Sequence, residues 1–79
     1  MKDRIPREEI EKWLVKLKAE LKKTKPLSKK GEELYRNIEA YIHDTEHFMK
    51  EGDFVKAWEL VSFAWGLLEA GMELEALKK

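Results

Sequence analysis

The sequence predicts an all-α protein, an up-down-up three-helix bundle with short loops that occupies residues 1–79 as a single helical domain. Three observations lead to this prediction. Apolar residues recur at helical spacing in three segments, capping residues separate those segments, and no segment alternates as a strand would. With 79 residues, the chain can build one small hydrophobic core.

The first helix is predicted over about residues 7–24. Pro6 suits its first turn, where the missing backbone N–H is no loss. Its apolar stripe consists of Ile10, Trp13, Leu14, Leu17 and Leu21. Lysines follow near its negative dipole end, and Pro26 prevents the helix from continuing.

The second helix is predicted over about residues 29–50, with Ser28 as its N-cap. Its stripe consists of Leu34, Ile38, Tyr41, Ile42, Thr45, Phe48 and Met49. Gly52 suits the left-handed conformation that ends a helix, and Asp53 is the next N-cap. The third helix therefore follows at once, over about residues 54–77.

The third helix is apolar over more than half of its circumference, far wider than the ~100° stripe of a surface helix. Two sets of small residues lie on it. Ala57, Ala64 and Gly71 recur every seven residues on the apolar side, where we expect a helix of the same chain to approach closely. Ser62, Gly66 and Ala70 recur every four residues on roughly the opposite, polar side.

This second set predicts a contact site for another helix, and its residues are Ser62, Gly66 and Ala70, flanked by Phe63 and Trp65. A glycine in the middle of a helix lowers the stability of that helix by about 1 kcal/mol relative to alanine, and exposure to water does not offset this loss. Aromatic residues are favoured anchors of interfaces. Two occupants remain open: helix 1 of the same chain, and a helix from a second copy or a partner protein.

The composition excludes several classes of protein. The chain has no cysteine, which excludes disulfides and thiolate chemistry. No apolar run approaches the ~18 residues of a membrane span, and residues 1–9 lack the apolar stretch of a secretory signal. We therefore expect a cytoplasmic protein without a membrane partner. The 13 Lys and 13 Glu, with one Asn and no Gln, are typical of thermophiles.

Charge is distributed unevenly along the chain. Residues 1–30 hold 11 basic and 5 acidic side chains, a net charge of +6, and residues 31–79 hold 5 and 11, a net charge of −6. Such a split occurs in nucleic-acid-binding proteins, but those usually carry an overall positive charge. The favoured interpretation is that the basic segment packs along the acidic remainder, and nucleic acid is the less favoured partner.

Two motifs suggest chemistry, and neither is favoured. His43 and His47 match the His-x-x-Glu-His spacing of some zinc peptidases. Both lie opposite the apolar stripe of their helix and have no evident third ligand, so the prediction is two exposed histidines and no metal. Arg36 and His43 resemble the Arg-x4–6-His ribonuclease motif of HEPN domains, which implies an RNA-associated or RNA-processing protein as the alternative function.

The second half of the chain carries a more specific pattern. It contains Tyr41-Ile42-x-Asp44, then Gly52-Asp53-Phe54-x-x-Ala57, then the run from Ser62 to Gly71, Ser-Phe-Ala-Trp-Gly-Leu-Leu-Glu-Ala-Gly. Over about residues 34–74 this pattern resembles an archaeal family known as domain of unknown function 357. Phe63 and Glu69 stand where that family usually has Tyr and Asp.

The resemblance implies an archaeal three-helix bundle and implies no activity. Together with the residues above, it leads to the prediction of a non-enzymatic module for protein–protein interaction or self-association. The predicted partner is a second copy in a homodimer or another helical protein. No cofactor is predicted.

Overall fold

The structure is a computed structural model that describes residues 6–79. Its elements are α1 (Arg7–Lys22), β1 (Lys25–Pro26), α2 (Lys29–Glu51), α3 (Phe54–Glu73) and β2 (Leu77–Lys78). The predicted all-α three-helix bundle is confirmed. The first five residues, which the predicted domain of 1–79 includes, lie outside the described residues.

The predicted apolar stripes meet in the core between the three helices. Its buried hydrophobic members are Ile10, Leu14, Leu17, Leu21, Ile38, Ile42, Met49, Ala57, Val61, Ala64, Leu68 and Leu77. The small residues Ala57 and Ala64 are fully buried, and a Cβ added to Gly71 would lie 2.7 Å from Leu34 Cδ2. The predicted close approach within the chain therefore occurs on this side of α3.

The helix termini are capped as the sequence predicts. Ser28 Oγ accepts a hydrogen bond from the Gly31 N–H at 3.1 Å, and Asp53 Oδ1 accepts one from the Lys56 N–H at 3.1 Å. Gly52 has a φ of 82°, in the left-handed region. The side chains of Ser28 and Asp53 each satisfy an N–H that the first turn of a helix leaves without a partner.

Gly52→Val should destabilise the protein by more than about 1 kcal/mol, because a β-branched residue is poorly suited to positive φ. A Cβ added at Gly52 would meet no atom within 4 Å, so the loss would come from the backbone and not from crowding. Urea unfolding measures the loss. Gly52→Asn is the control and should cost less, since asparagine tolerates this conformation. An unchanged melting temperature for the valine variant would contradict the prediction.

Helix α3 ends at Glu73, four residues before the predicted end at Leu77. Glu75 has a φ of 61°, and the Ala76 N–H donates to the Gly71 carbonyl at 2.9 Å, which closes the helix as a glycine would. The prediction was wrong because a glutamate gives no signal for a left-handed position. Helix α1 also ends two residues early, at Lys22.

A short antiparallel ladder, which the sequence did not predict, joins the connection between α1 and α2 to the segment after α3. Lys25–Pro26 pairs with Leu77–Lys78, and the Leu27 N–H donates to the Ala76 carbonyl at 2.9 Å. Strands of two residues are too short to show alternation. The ladder holds the C-terminal ends of α1 and α3 at the same end of the molecule, so these two helices run parallel.

Candidate partner-binding surface

The structure places Ser62, Gly66 and Ala70 on the outside of α3, where all three are exposed. A Cβ added to Gly66 would meet no atom within 4 Å, so no other helix among residues 6–79 packs over this position. Of the two occupants that the sequence left open, helix 1 of the same chain is therefore excluded. That a helix from outside the chain binds here stays a prediction.

The two predicted aromatic flanks lie on opposite sides of this surface. Phe63 is 55% exposed, and its ring packs edge-on against Tyr41 of α2, with centroids 5.2 Å apart. Trp65 is half-buried and packs edge-on against Trp13 of α1, with centroids 5.8 Å apart. The surface of α3 therefore spans from the α2 side at Phe63 to the α1 side at Trp65.

A cavity of about 290 Å³ opens beside Trp65, between α1 and α3. It is lined by Trp13, Trp58, Val61, Ser62, Trp65 and Glu69. The Trp65 Nε1–H donates to the backbone carbonyl of Trp13 at 3.2 Å, which satisfies the indole N–H and fixes its ring against α1. The cavity thus has aromatic walls, with one hydroxyl and one carboxylate among its lining groups.

Sequence reasoning placed Trp13 in the core stripe of the first helix and missed its part in this cavity. The structure shows Trp13 only half-buried, next to the fully packed Leu14. Its position at the edge of the apolar stripe is the signal that could have found it. A large aromatic ring at such an edge turns towards the neighbouring helix and not towards the centre of the core.

Charges of opposite sign lie on the two helices that border the cavity. On α3, the exposed carboxylates of Glu59, Glu69 and Glu73 have no ion-pair partner within 4 Å among residues 6–79. On α1, Lys16 Nζ lies 5.1 Å from the centroid of the Trp13 ring, and Lys23 is exposed. The α3 side is therefore acidic and the α1 side is basic.

The histidines of α2 are both exposed, as predicted. His47 Nε2 lies 3.8 Å from Glu51 Oε2, one turn further along the helix. Among the residues that the structure describes, no cluster of three or more His, Cys, Asp or Glu side chains could hold a metal ion. Arg36, the other member of the HEPN-like pair, is also exposed on α2.

These observations define the class: a small up-down-up three-helix bundle whose third helix keeps its outward side uncovered. A family model described as "Protein of unknown function (DUF357)" matches residues 8–77. The chain belongs to this family. The sequence resemblance was drawn from the second half of the chain, and the family model confirms it over nearly the whole chain.

The chain is similar to the crystal structure of protein AF1782 from Archaeoglobus fulgidus, which carries the same family description. The two are 40% identical, with a TM-score of 0.84 over 92% of this chain and 91% of that one. This relative is archaeal and shares the fold. No curated protein matches the chain. Neither the family nor this relative carries an enzymatic activity in its description.

No helix among residues 6–79 combines the length and the apolar character that crossing a bilayer requires.

Proposed function

We propose that this chain is a non-enzymatic protein-interaction module that binds a helix on the outward surface of α3, and that the bound helix comes from a second copy of the chain. The open position at Gly66 is the observation that carries the proposal. Twelve residues of α3 precede Gly66 and seven follow it, so it is not a terminal glycine. No cap, turn or positive φ requires a glycine there.

The free-energy cost of Gly66 supports this proposal. Glycine inside a helix is about 1 kcal/mol less favourable than alanine. Gly71 offsets such a cost by admitting Leu34 and Leu77 closely, but Gly66 faces open space within the chain. A partner helix that approaches the backbone at Gly66 would supply the missing compensation.

The neighbouring side chains support a binding role. Phe63 and Val55 are each more than half exposed on α3, and the Trp58 and Trp65 rings border the cavity on the α1 side of that helix. Large aromatic side chains around an apolar depression are typical anchors of protein interfaces. The carboxylates nearby lie open to solvent, without the enclosed cleft in which catalytic acids work.

Gly66→Leu should abolish association and leave the monomer folded. Leucine is the better helix former, so thermal stability should hold or rise, while its side chain would fill the space that the partner needs. Sedimentation equilibrium over a range of concentrations measures association, and circular dichroism measures folding. Ala40→Leu, at an exposed site on α2, is the matched control and should associate as the natural chain does.

Two results would contradict the proposal. One is a natural chain that stays monomeric at every concentration tested. The other is a Gly66→Leu variant that associates normally. The composition predicts a cytoplasmic protein of a thermophile and the family resemblance implies an archaeal one, and that setting stays a prediction.

A further inference from the structure

One side of the bundle, which we call the front face, points away from α2. Lys18 of α1 pairs with Glu46 of α2, and Lys16 lies about 200° around α1 from Lys18, so Lys16 points away from α2. On α3, Gly66 lies opposite the buried stripe. The front face therefore has Lys16 and Lys23 along its α1 edge, Trp13, Trp58 and Trp65 along its centre, and Glu69 and Glu73 along its α3 edge.

The charges at the two edges form no direct ion pair within the described residues, although Lys79 and, to a smaller extent, Lys23 contribute to the lowered pKa of Glu20. Among residues 6–79, Lys16, Lys23, Glu69 and Glu73 have no ion-pair partner within 4 Å.

The other carboxylates on the same side of α1 already have partners. Glu9 lies 3.9 Å from Lys12 Nζ. Glu20 lies 2.7 Å from Lys79 Nζ, and the hydrogen bond from Lys79 lowers the pKa of Glu20 below its ordinary value. The front face is therefore basic along α1 and acidic along α3.

We infer that two copies of the chain pair through their front faces, about a two-fold axis parallel to the helices. This inference rests on the proposed function and specifies its geometry. Such an axis places α1 of each copy on α3 of the other, so the basic edge meets the acidic edge twice. An axis across the helices in the plane of the interface would place α1 on α1 and α3 on α3, where like charges repel.

We call the position of a residue along the helix direction its height, counted towards the C-terminal ends of α1 and α3. The heights of the charged residues agree with the proposed two-fold axis. Trp13 and Trp65 contact each other, and they therefore mark one height on α1 and α3. At about 1.5 Å per residue, Lys16 lies roughly 4.5 Å above that height and Glu69 roughly 6 Å above it.

The second pair of charges also matches, because Lys23 lies roughly 15 Å and Glu73 roughly 12 Å above the two tryptophans. A two-fold axis parallel to the helices preserves height. Lys16 therefore meets the partner's Glu69, and Lys23 meets the partner's Glu73.

The same arrangement accounts for Gly66 and for the aromatic cavity. Gly66 lies one residue above Trp65, roughly 3 Å below the height of the partner's Lys16, and its missing side chain leaves a path for the partner's α1 to approach α3. A side chain at this position would obstruct that path. The cavity and its three tryptophans lie at the centre of the interface, where aromatic anchors are usual. The ammonium of Lys16 already lies over an indole ring within its own chain.

The front face is large enough for a stable dimer. The molecule measures 41 Å by 19 Å in its two longer dimensions. A side of that size, fully covered, offers on the order of 800 Å² per copy, which is what each partner contributes to a standard interface.

Charge reversal tests this geometry. Lys16→Glu alone and Glu69→Lys alone should each raise the dissociation constant of the dimer at least about tenfold, because each creates two like-charge contacts. An equimolar mixture of the two single variants should associate as the natural chain does, since both contacts then join opposite charges. Sedimentation equilibrium measures each case, and circular dichroism checks folding. Lys50→Glu and Glu39→Lys make the same reversals on α2 and should leave association unchanged.

The outcomes separate this inference from the proposed function. Recovery in the mixture supports it. If the natural chain associates and the single reversals leave association unchanged, the pairing is wrong and the proposed function stands. If a chain that carries both Lys16→Glu and Glu69→Lys associates as the natural chain does but the mixture does not, Lys16 and Glu69 pair within one chain and the pairing is again wrong. If the natural chain is monomeric at all concentrations, both proposals fail.

Discussion

Gly31→Ala should destabilise the protein by about 2 kcal/mol, although alanine is the better helix former. Gly31 lies in the first turn of α2, and an added Cβ would stand 2.1 Å from the backbone oxygen of Ala76. That carbonyl accepts the N–H of Leu27 and cannot rotate away as a side chain would. Either the start of α2 or the chain after α3 would have to move.

Gly66→Ala is the matched control, because it makes the same chemical change where no atom lies within 4 Å. It should stabilise the fold by up to about 1 kcal/mol. Urea unfolding of dilute protein measures both variants. Equal effects of the two substitutions would show that the contact between Gly31 and Ala76 does not constrain the fold.

Leu77→Ala should cost about 3 kcal/mol, the usual loss for a leucine removed from a packed core. Leu77 is only 1% exposed and its Cδ1 lies 2.5 Å from where a Cβ on Gly71 would stand. Three residues earlier, Leu74 is 78% exposed. Leu74→Ala should therefore change stability by no more than about 0.5 kcal/mol.

Thermal and urea unfolding of these two variants distinguish a core residue from a loosely attached end. A small loss for Leu77→Ala would mean that the segment after α3 adds little to the core. Lys79→Ala, measured in the same experiments, removes the ion pair with Glu20 but keeps Leu77. It therefore separates the contribution of the ion pair from that of the buried leucine.

The sequence predicts the three helices well, because each signal for them is local. A stripe such as Leu14, Leu17 and Leu21 and a capping residue such as Ser28 act within a few residues of their own position. The end of α3 could not be predicted in this way. It depends on Glu75 at positive φ and on a ladder that brings residue 25 to residue 78, and such pairing has no local signature.

The same distinction holds for the candidate surface. The spacing of Ser62, Gly66 and Ala70 placed them together on the polar side of one helix but left open whether helix 1 covers them, and the structure shows all three exposed. The aromatic cavity could not be predicted, because it needs Trp13 and Trp65, which are far apart in sequence and meet only in the fold.

Few ion pairs in the described part of the chain join the basic first segment to the acidic remainder. Among residues 6–79, one ion pair, Lys18 with Glu46, joins a base of residues 1–30 to an acid of residues 31–79. The favoured interpretation of the charge split, that the basic segment packs along the acidic remainder of its own domain, agrees with the packing of α1 against α3 at Trp13 and Trp65. Most of the charge on α1 remains on its outer side, where a second molecule can meet it.

The ladder also determines when folding can finish during synthesis. A ribosome delivers the chain from its N-terminus, so Leu77 emerges after every other residue of the core. Until the last residues emerge, the hollow beside Gly71 and Leu34 is unfilled and the N–H of Leu27 has no Ala76 carbonyl to which it can donate. A nascent chain that already holds all three helices therefore still exposes apolar surface, and its last step is the docking of the C-terminal segment against the connection between α1 and α2.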